Sequence, residues 1–321
     1  MVARQGFPEA MQKNMYEYFD EASEFEMKPA VYPSLFNVKT MVGGYETKTN
    51  YLGLGQLSER QEADDIDNID PLEGWTITHK SRIFSKSFEL SKTFVDDMPE
   101  SHIQNVLQEL AAGWAQGLVN TKEVFAAKFF NYGGYTAGND VFNGTIPGVV
   151  TDSSGDLCYD GLPFFNLTSN TRTAKDGTTY YNSIASHNFS AANLQTSYNL
   201  MAVTNAYDEK GEKIALKPQI VLHGPSLKFT VKTVLENHDT ANNSTVVQNL
   251  VQPVEWSYLT DPDAWFLGVP KKGLTWYERQ APVIEFYQNP KNKNYYVTID
   301  TRFGAGVDNW RFWQGNNLST S

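Results

Sequence analysis

The feature that most limits how this chain can fold is a long amphipathic run in its first half. Ile103, Val106, Leu107, Leu110, Ala111, Trp114 and Leu118 fall at i, i+3, i+4, i+7, i+8, i+11 and i+15, which lines one face of a helix. Asp97 with Glu100, and Pro99 between them, reads as its start: the Asp97 carboxylate would accept from free amides of the first turn while Glu100 reaches back. The apolar spacing resumes at Val124, Phe125, Phe129 and Phe130. One helix from Met98 to Asn131 would therefore run about 50 Å, unless Asn120 and Thr121 divide it. An all-β sandwich needs no such rod.

Ahead of the rod, Met11, Met15, Tyr18, Phe19 and Ala22 recur at threes and fours and predict an amphipathic helix over 9–25. The stretch AVYPSLFNVKTMVGGYETKTNYLGLG is broken by Pro33, Gly43, Gly44, Gly53 and Gly55. It reads as an extended, irregular arm with little core of its own, lying on something else. From Gln56 to Gly74, the acids Glu59, Glu62, Asp64, Asp65, Asp67, Asp70 and Glu73 stand against Arg60 alone, and supply −6 of the net charge of −11. A solvated loop is the plain reading. A calcium loop fits poorly, because Ile69 falls where a third oxygen ligand belongs, no glycine stands at position 70, and no Glu sits at the required distance.

In GWTITHKSRIFSKSFELSKTF, Trp75 and Ile77 alternate on odd positions, then Phe84, Phe88 and Leu90 on even ones. The change of parity near Ser81 predicts a hairpin turn or a bulge between two strand segments. This ribbon carries Lys80, Arg82, Lys86 and Lys92, opposite in sign to the acidic segment. Such complementarity suits pairing between neighbouring copies, the alternative being that both segments face water.

Downstream, Gly133 to Gly161 is glycine-rich and polar, a connection or domain boundary. Ser190 can cap a helix bearing Leu194, Tyr198 and Met201; KPQIVLHG reads as a short buried strand; Pro225 opens a helix with Leu227, Val231, Val234 and Leu235 inside. That order suggests a compact mixed domain. The remaining segment is aromatic and strand-like, with Asn289 to Asn294 as a turn.

Chemistry is harder to find. His79, His102, His187, His223 and His238 form no pair at ligand spacing, and each reads as a surface or satisfied core residue. The lone Cys158 reads as a small buried filler, with no disulfide. The nucleophile-elbow, phosphate-loop and dinucleotide motifs are missing, and Asp261 and Asp263 in TDPD read as a turn on Pro262 rather than as paired catalytic carboxylates. The acidic balance argues against a protein that grips nucleic acid through clustered Lys and Arg. No apolar run reaches membrane-helix length, and no export signal is visible, so the Asn-x-Ser/Thr sequons imply no glycosylation. No catalytic residue, cofactor or metal ligand is expected.

The order of these parts resembles the major capsid proteins of tailed double-stranded DNA phages, with their Hong Kong phage-type fold. Several segments are similar to the Mu-like major head subunit branch. YLGLGQL followed by EADDIDNIDPLEGWTITHKSRIFSKSFELSKTFVDDM resembles that branch's extended-loop region leading into a spine helix. DGLPFFN and HNFSAANLQTSYNLM resemble its passage of a DG pair, a buried phenylalanine and a helix. KPQIVLHGPSLKFTVKTVLEN is similar to its strand-then-helix element, PVEWSYLTDPDAWFLGV to its late strand hairpin, and FGAGVDNWRFWQGN to its closing strand. The resemblance covers residues 45–316.

This resemblance implies an α+β fold: an N-terminal arm (1–46), an extended β-hairpin loop (47–97), a peripheral domain with the spine helix (98–145 and 280–318), and an axial α/β domain (146–279). It implies self-assembly into the hexamers and pentamers of an icosahedral phage head, located in the virion after assembly in the host cytoplasm, with arm and loop reaching across neighbours. DNA would be enclosed without sequence-specific binding. Scaffolding, portal and decoration proteins are the expected partners, and no membrane is. Glu59, Asp64, Asp65 and Asp67 on the acidic loop, with Lys80, Arg82 and Lys86 on the ribbon, are the expected intersubunit contacts. Some members crosslink a loop lysine to a neighbour's asparagine; Lys80 and Lys86 lie in that region, but nothing marks a partner asparagine or a catalytic glutamate. An encapsulin-like compartment shell shares the fold. The rival from another class is a carbohydrate-binding β protein, because Trp, Tyr and Phe make up 13% of the chain and exposed aromatics stack on sugars.

Overall fold

The computed structural model describes residues 7–51, 59–62, 73–133, 158–168, 171–174, 176–236 and 247–318. Helix α1 (Phe7–Met27) forms where the apolar spacing predicts it and buries Met11, Met15 and Phe19. A single helical turn, α2 (Tyr32–Leu35), opens on Pro33, and β1 (Asn37–Thr40) and β2 (Tyr45–Tyr51) follow. Next come β3 (Glu73–Lys80), β4 (Arg82–Leu90), α3 (Lys92–Asp97) and the rod, α4 (Glu100–Asn131).

The rod is one helix of 32 residues with no division at Asn120 or Thr121. The Thr121 hydroxyl turns back onto the Gly117 carbonyl at 2.7 Å, so a polar residue is accommodated without breaking the ladder. Its start differs from the expectation. Asp97 closes α3, and Pro99, whose ring offers no acceptor, is the N-cap. The amides of His102 and Ile103 donate to the Pro99 carbonyl instead, at 3.0 and 3.2 Å.

The chain continues through β5 (Arg172–Thr173), β6 (Thr179–Tyr180), β7 (Ser183–Ile184) and α5 (Ala191–Asn199), which runs into a π turn at Leu200–Thr204. The Ser190 hydroxyl accepts from the Asn193 amide at 3.2 Å, the cap read from sequence. After β8 (Ile220–His223) and α6 (Lys228–Glu236) come β9 (Gln252–Glu255), β10 (Trp265–Gly268), β11 (Leu274–Gln288), β12 (Tyr295–Val307) and β13 (Trp313–Asn316).

These strands make a four-stranded sheet, β1-β11-β12-β4, and a five-stranded sheet, β7-β13-β10-β8-β9. β2 pairs with β3, and β5 with β6, as separate two-stranded ribbons. The parity change at Ser81 is real, but β3 and β4 do not pair with each other: β3 pairs with β2, and β4 with β12. Ser81 is therefore the point where the chain passes from a ribbon into a sheet.

Among the described residues, three hydrophobic cores hold the elements together. Met15, Leu107, Ala111, Ile284 and Val297 close α1 and the first half of α4 onto the far ends of β11 and β12. Phe125, Phe130, Phe266, Trp276 and Trp313 form the central core. Leu194, Val221, Val231, Trp265 and Leu267 form the third. Successive residues of β10, Trp265 then Phe266, enter different cores, as alternation along a strand requires.

The stretch after α1, expected as an irregular arm lying on something else, holds the short elements α2, β1 and β2 and lies on the body of its own chain: Tyr32, Leu35, Phe36 and Met41 are buried, and the Tyr32 ring lies 4.5 Å from that of Trp276. β1 adds to β11 in parallel, and α1 packs on α4 of its own chain. The Pro and Gly positions mark turns between short elements whose apolar residues fill the central core. Much of the aromatic content is also interior: Trp256, Trp265, Trp276, Trp310 and Trp313 are at most 1% exposed, while Phe25, Tyr45, Phe229 and Tyr287 are exposed, which weakens the motive for a sugar-binding surface.

Candidate assembly surface

β2 and β3 run in antiparallel register from Tyr45↔Lys80 to Tyr51↔Glu73. On the outer face of this ribbon the hydroxyls of Thr47 and Thr78 meet at 3.2 Å, and those of Thr49 and Thr76 at 3.1 Å. Lys48, Ile77 and His79 face the body. Among the described residues no ladder joins the ribbon to either sheet, so side chains at its root must hold it.

Asp308, just beyond β12, is the centre of that root. Its Oδ2 accepts from Lys48 Nζ at 2.8 Å and from the Thr275 hydroxyl, and its Oδ1 accepts from His79 Nε2 at 2.9 Å. An ionised carboxylate only accepts, so Nε2 carries the proton. Burial pushes the Asp308 carboxyl up, but the hydrogen bonds from His79, Lys48 and Thr275 outweigh it and hold the group down at about 2.

Two glycines of β12 give the root its space. A Cβ at Gly306 would lie 1.9 Å from His79 Nδ1, and one at Gly304 would lie 2.4 Å from the Lys80 carbonyl oxygen. Farther along the ribbon, Trp75 stacks on Tyr159 with ring centroids 4.0 Å apart. Tyr159 in turn donates to Glu209 and accepts from Arg311 Nη1, which also pairs with Glu209 at 2.7 Å. His79 was read from sequence as a surface or satisfied core residue and Trp75 as a strand position, but none of these pairings was expected. The available signal was the alternation of glycines in FGAGVD, which in a strand marks close approach of another backbone or ring.

The residues expected to make contacts fall into two groups. Glu59 is exposed, and Asp64, Asp65 and Asp67 lie outside the described residues. Lys80 is exposed at the end of β3 and Lys86 is exposed on β4, whereas Arg82 is half-buried at the start of β4. Because β4 alternates, Arg82 and Lys86 share a face with Phe84 and Phe88, whose rings meet Phe125 and Trp114 of α4 at 5.7 and 4.9 Å. The outward face carries Ile83, Ser85, Ser87 and Glu89.

Between α4 and β4 a groove of about 400 Å³ opens, lined by Ile83, Phe84, Lys86, Gly113, Trp114 and Gly117 among others. A Cβ at Gly113 or Gly117 would meet nothing within 4 Å, so the helix is bare there. β4 is also an edge of its sheet. A strand edge with no ladder partner among the described residues, beside an open groove with a lysine on its rim, is suited to contact with another chain.

A long rod against a four-stranded sheet, a second sheet with its own helices and a separate two-stranded ribbon make up the tailed-phage major capsid fold. The chain is similar to the mature capsid subunit of bacteriophage PhiM1, at TM-score 0.54 and 10% identity, over 92% of this chain and 89% of that one. It is similar to a protein of Mycobacterium phage Patience at TM-score 0.52 and 11% identity, over 97% and 88%. It is also similar to the capsid protein of cyanophage P-SCSP1u at TM-score 0.50 and 11% identity, over 92% and 89%. No curated protein sequence matches it significantly. The model of the phage capsid protein family matches residues 77–316, and the chain belongs to that family. The match is to the family as a whole and does not single out the Mu-like branch.

Proposed function

We propose that this chain is the major head subunit of a tailed phage, whose copies assemble in the host cytoplasm into hexamers and pentamers that close an icosahedral shell around double-stranded DNA. The family match over residues 77–316 carries this reading. A ribbon tied to the body by side chains alone, a sheet edge left open among the described residues and a bare stretch of rod support it, because a shell of identical copies is stabilised by many modest interfaces. Residues 47–97 then act as the extended loop, 98–145 with 280–318 as the peripheral domain, and 146–279 as the axial domain. A net charge of −11 suits a container that encloses DNA without gripping it. Scaffolding, portal and decoration proteins would join the assembly.

Within the shell, the acidic residues Glu59, Asp64, Asp65 and Asp67 of one copy dock on Lys80, Arg82 and Lys86 of the next. Opposite charge on two segments of one sequence supports this contact, as does the exposure of Lys86 beside the groove between α4 and β4. Electron microscopy of the expressed protein tests the function: closed icosahedral particles are expected, and a protein that stays monomeric under every assembly condition overturns it. Reversing Lys80, Arg82 and Lys86 to Glu tests the contact. Particle yield should fall while circular dichroism stays unchanged, with Lys86→Glu alone as the milder variant. Normal yield from both rejects the docking.

A further inference from the structure

The two strands of the ribbon hydrogen-bond to each other and, among the described residues, to no other strand. Its direction relative to the body is therefore not set by backbone ladders. Two short connections join it to the body. One is the single residue Ser81 and the other is the turn from Met41 to Gly44, which contains the glycine pair Gly43 and Gly44. Both are short links about which a ribbon could swing. Trp75 stacked on Tyr159 restrains β3 farther along, and at the root one buried carboxylate reaches both strands at once.

Asp308 takes Lys48 from β2 and His79 from β3, and is itself tied to Thr275 of β11. The His79 side chain is 0% exposed and lies flat against the bare Gly306, so it cannot shift toward β12. The backbone carbonyl of Lys80 lies equally close to Gly304, where a Cβ would be 2.4 Å from its oxygen. Asp308 thus stands where two strands, the sheet and the closing segment meet.

We propose that Asp308 is a positioning residue: by holding Lys48 and His79 together it fixes the direction in which the ribbon leaves the body, and so the place where the ribbon meets a neighbouring copy. The second half of that statement rests on the assembly role proposed above. The first half does not, and it can be measured on unassembled protein.

Cys158 is only 4% exposed, so cysteines introduced by Thr76→Cys on the outer face of the ribbon and Gln116→Cys on the rod would take spin labels selectively. The distance distribution between the labels should be narrow in the otherwise unsubstituted protein and should broaden and shift in Asp308→Ala, with the far-ultraviolet spectrum unchanged. If Asp308→Ala does not fold, Lys48→Met removes one of the two ribbon side chains that Asp308 holds, at a side chain that is 42% exposed, and the same broadening is expected. In assembly trials these variants should form irregular shells in place of uniform ones. An unchanged label distribution in the folded variants overturns the positioning role whatever the particles do. Failure of the unsubstituted protein to form particles overturns the proposed function and leaves the label result standing.

Discussion

Replacing Glu123 by alanine should be among the most damaging single changes on the rod. Glu123 is 3% exposed, and its Oε1 accepts from the amides of Val31 at 2.7 Å and Tyr32 at 3.1 Å. Its Oε2 accepts from the indole nitrogen of Trp256, a side chain 1% exposed. One carboxyl group therefore joins α4 to the first amides of α2 and to the segment beyond β9. Alanine strands the Tyr32 amide and the Trp256 indole in the interior and leaves the Val31 amide half-covered. At ~1–3 kcal/mol for each stranded buried donor, and allowing for some relaxation, the loss is about 3–5 kcal/mol. That is a large share of the ~5–15 kcal/mol by which domains are ordinarily stable.

Urea unfolding of dilute, unassembled protein, followed by tryptophan fluorescence, measures this loss. Glu123→Gln keeps one acceptor oxygen and should lose roughly half as much. A loss below about 1 kcal/mol for Glu123→Ala, with α4 intact by circular dichroism, would refute the claim that this group organises the junction.

Gly268→Ala should also destabilise, because the new Cβ would lie 2.4 Å from the ring of Trp313, which is fully buried and has nowhere to retreat. A loss of about 2–3 kcal/mol, seen as a fall of several degrees in Tm, is expected, and an unchanged melt would contradict the packing. Asp308 makes stability depend on acid: folding lowers its pKa from 3.8 to about 2, so its contribution is complete above the unfolded value and is lost as pH falls from about 5 toward 2. The loss amounts to about 2 kcal/mol. Asp308→Asn should lack that component, and a pH–stability curve parallel to that of the unsubstituted protein over this range would show the reasoning wrong.

Local periodicity made several elements legible without coordinates. The rod, the Ser190 cap, the buried strand β8 and helix α6 follow from spacings of three and four, from capping chemistry, and from a short apolar run bounded by turn residues. The parity switch at Ser81 was visible because a strand carries its own record of which side is buried. The ordered series of aromatic, Gly and Pro positions from YLGLGQL to FGAGVDNWRFWQGN was enough to suggest the family.

What only the tertiary structure decided is where distant residues meet. Lys48 and Asp308 are 260 positions apart, and Glu123 and Trp256 are 133 apart, and no local pattern links the members of either pair. The stretch from Ala30 to Met41 looked unstructured because its few apolar residues cannot make a core among themselves. They became core residues only when the rod and β11 supplied the other walls. The misplaced cap at Asp97 has the same origin, since a carboxylate near a helix start caps it only if the backbone brings it there, and here α3 ends first. A sequence specifies which faces are apolar and where the backbone can turn. Which faces then close on one another, and which charges are buried between them, depends on the packing of the whole chain.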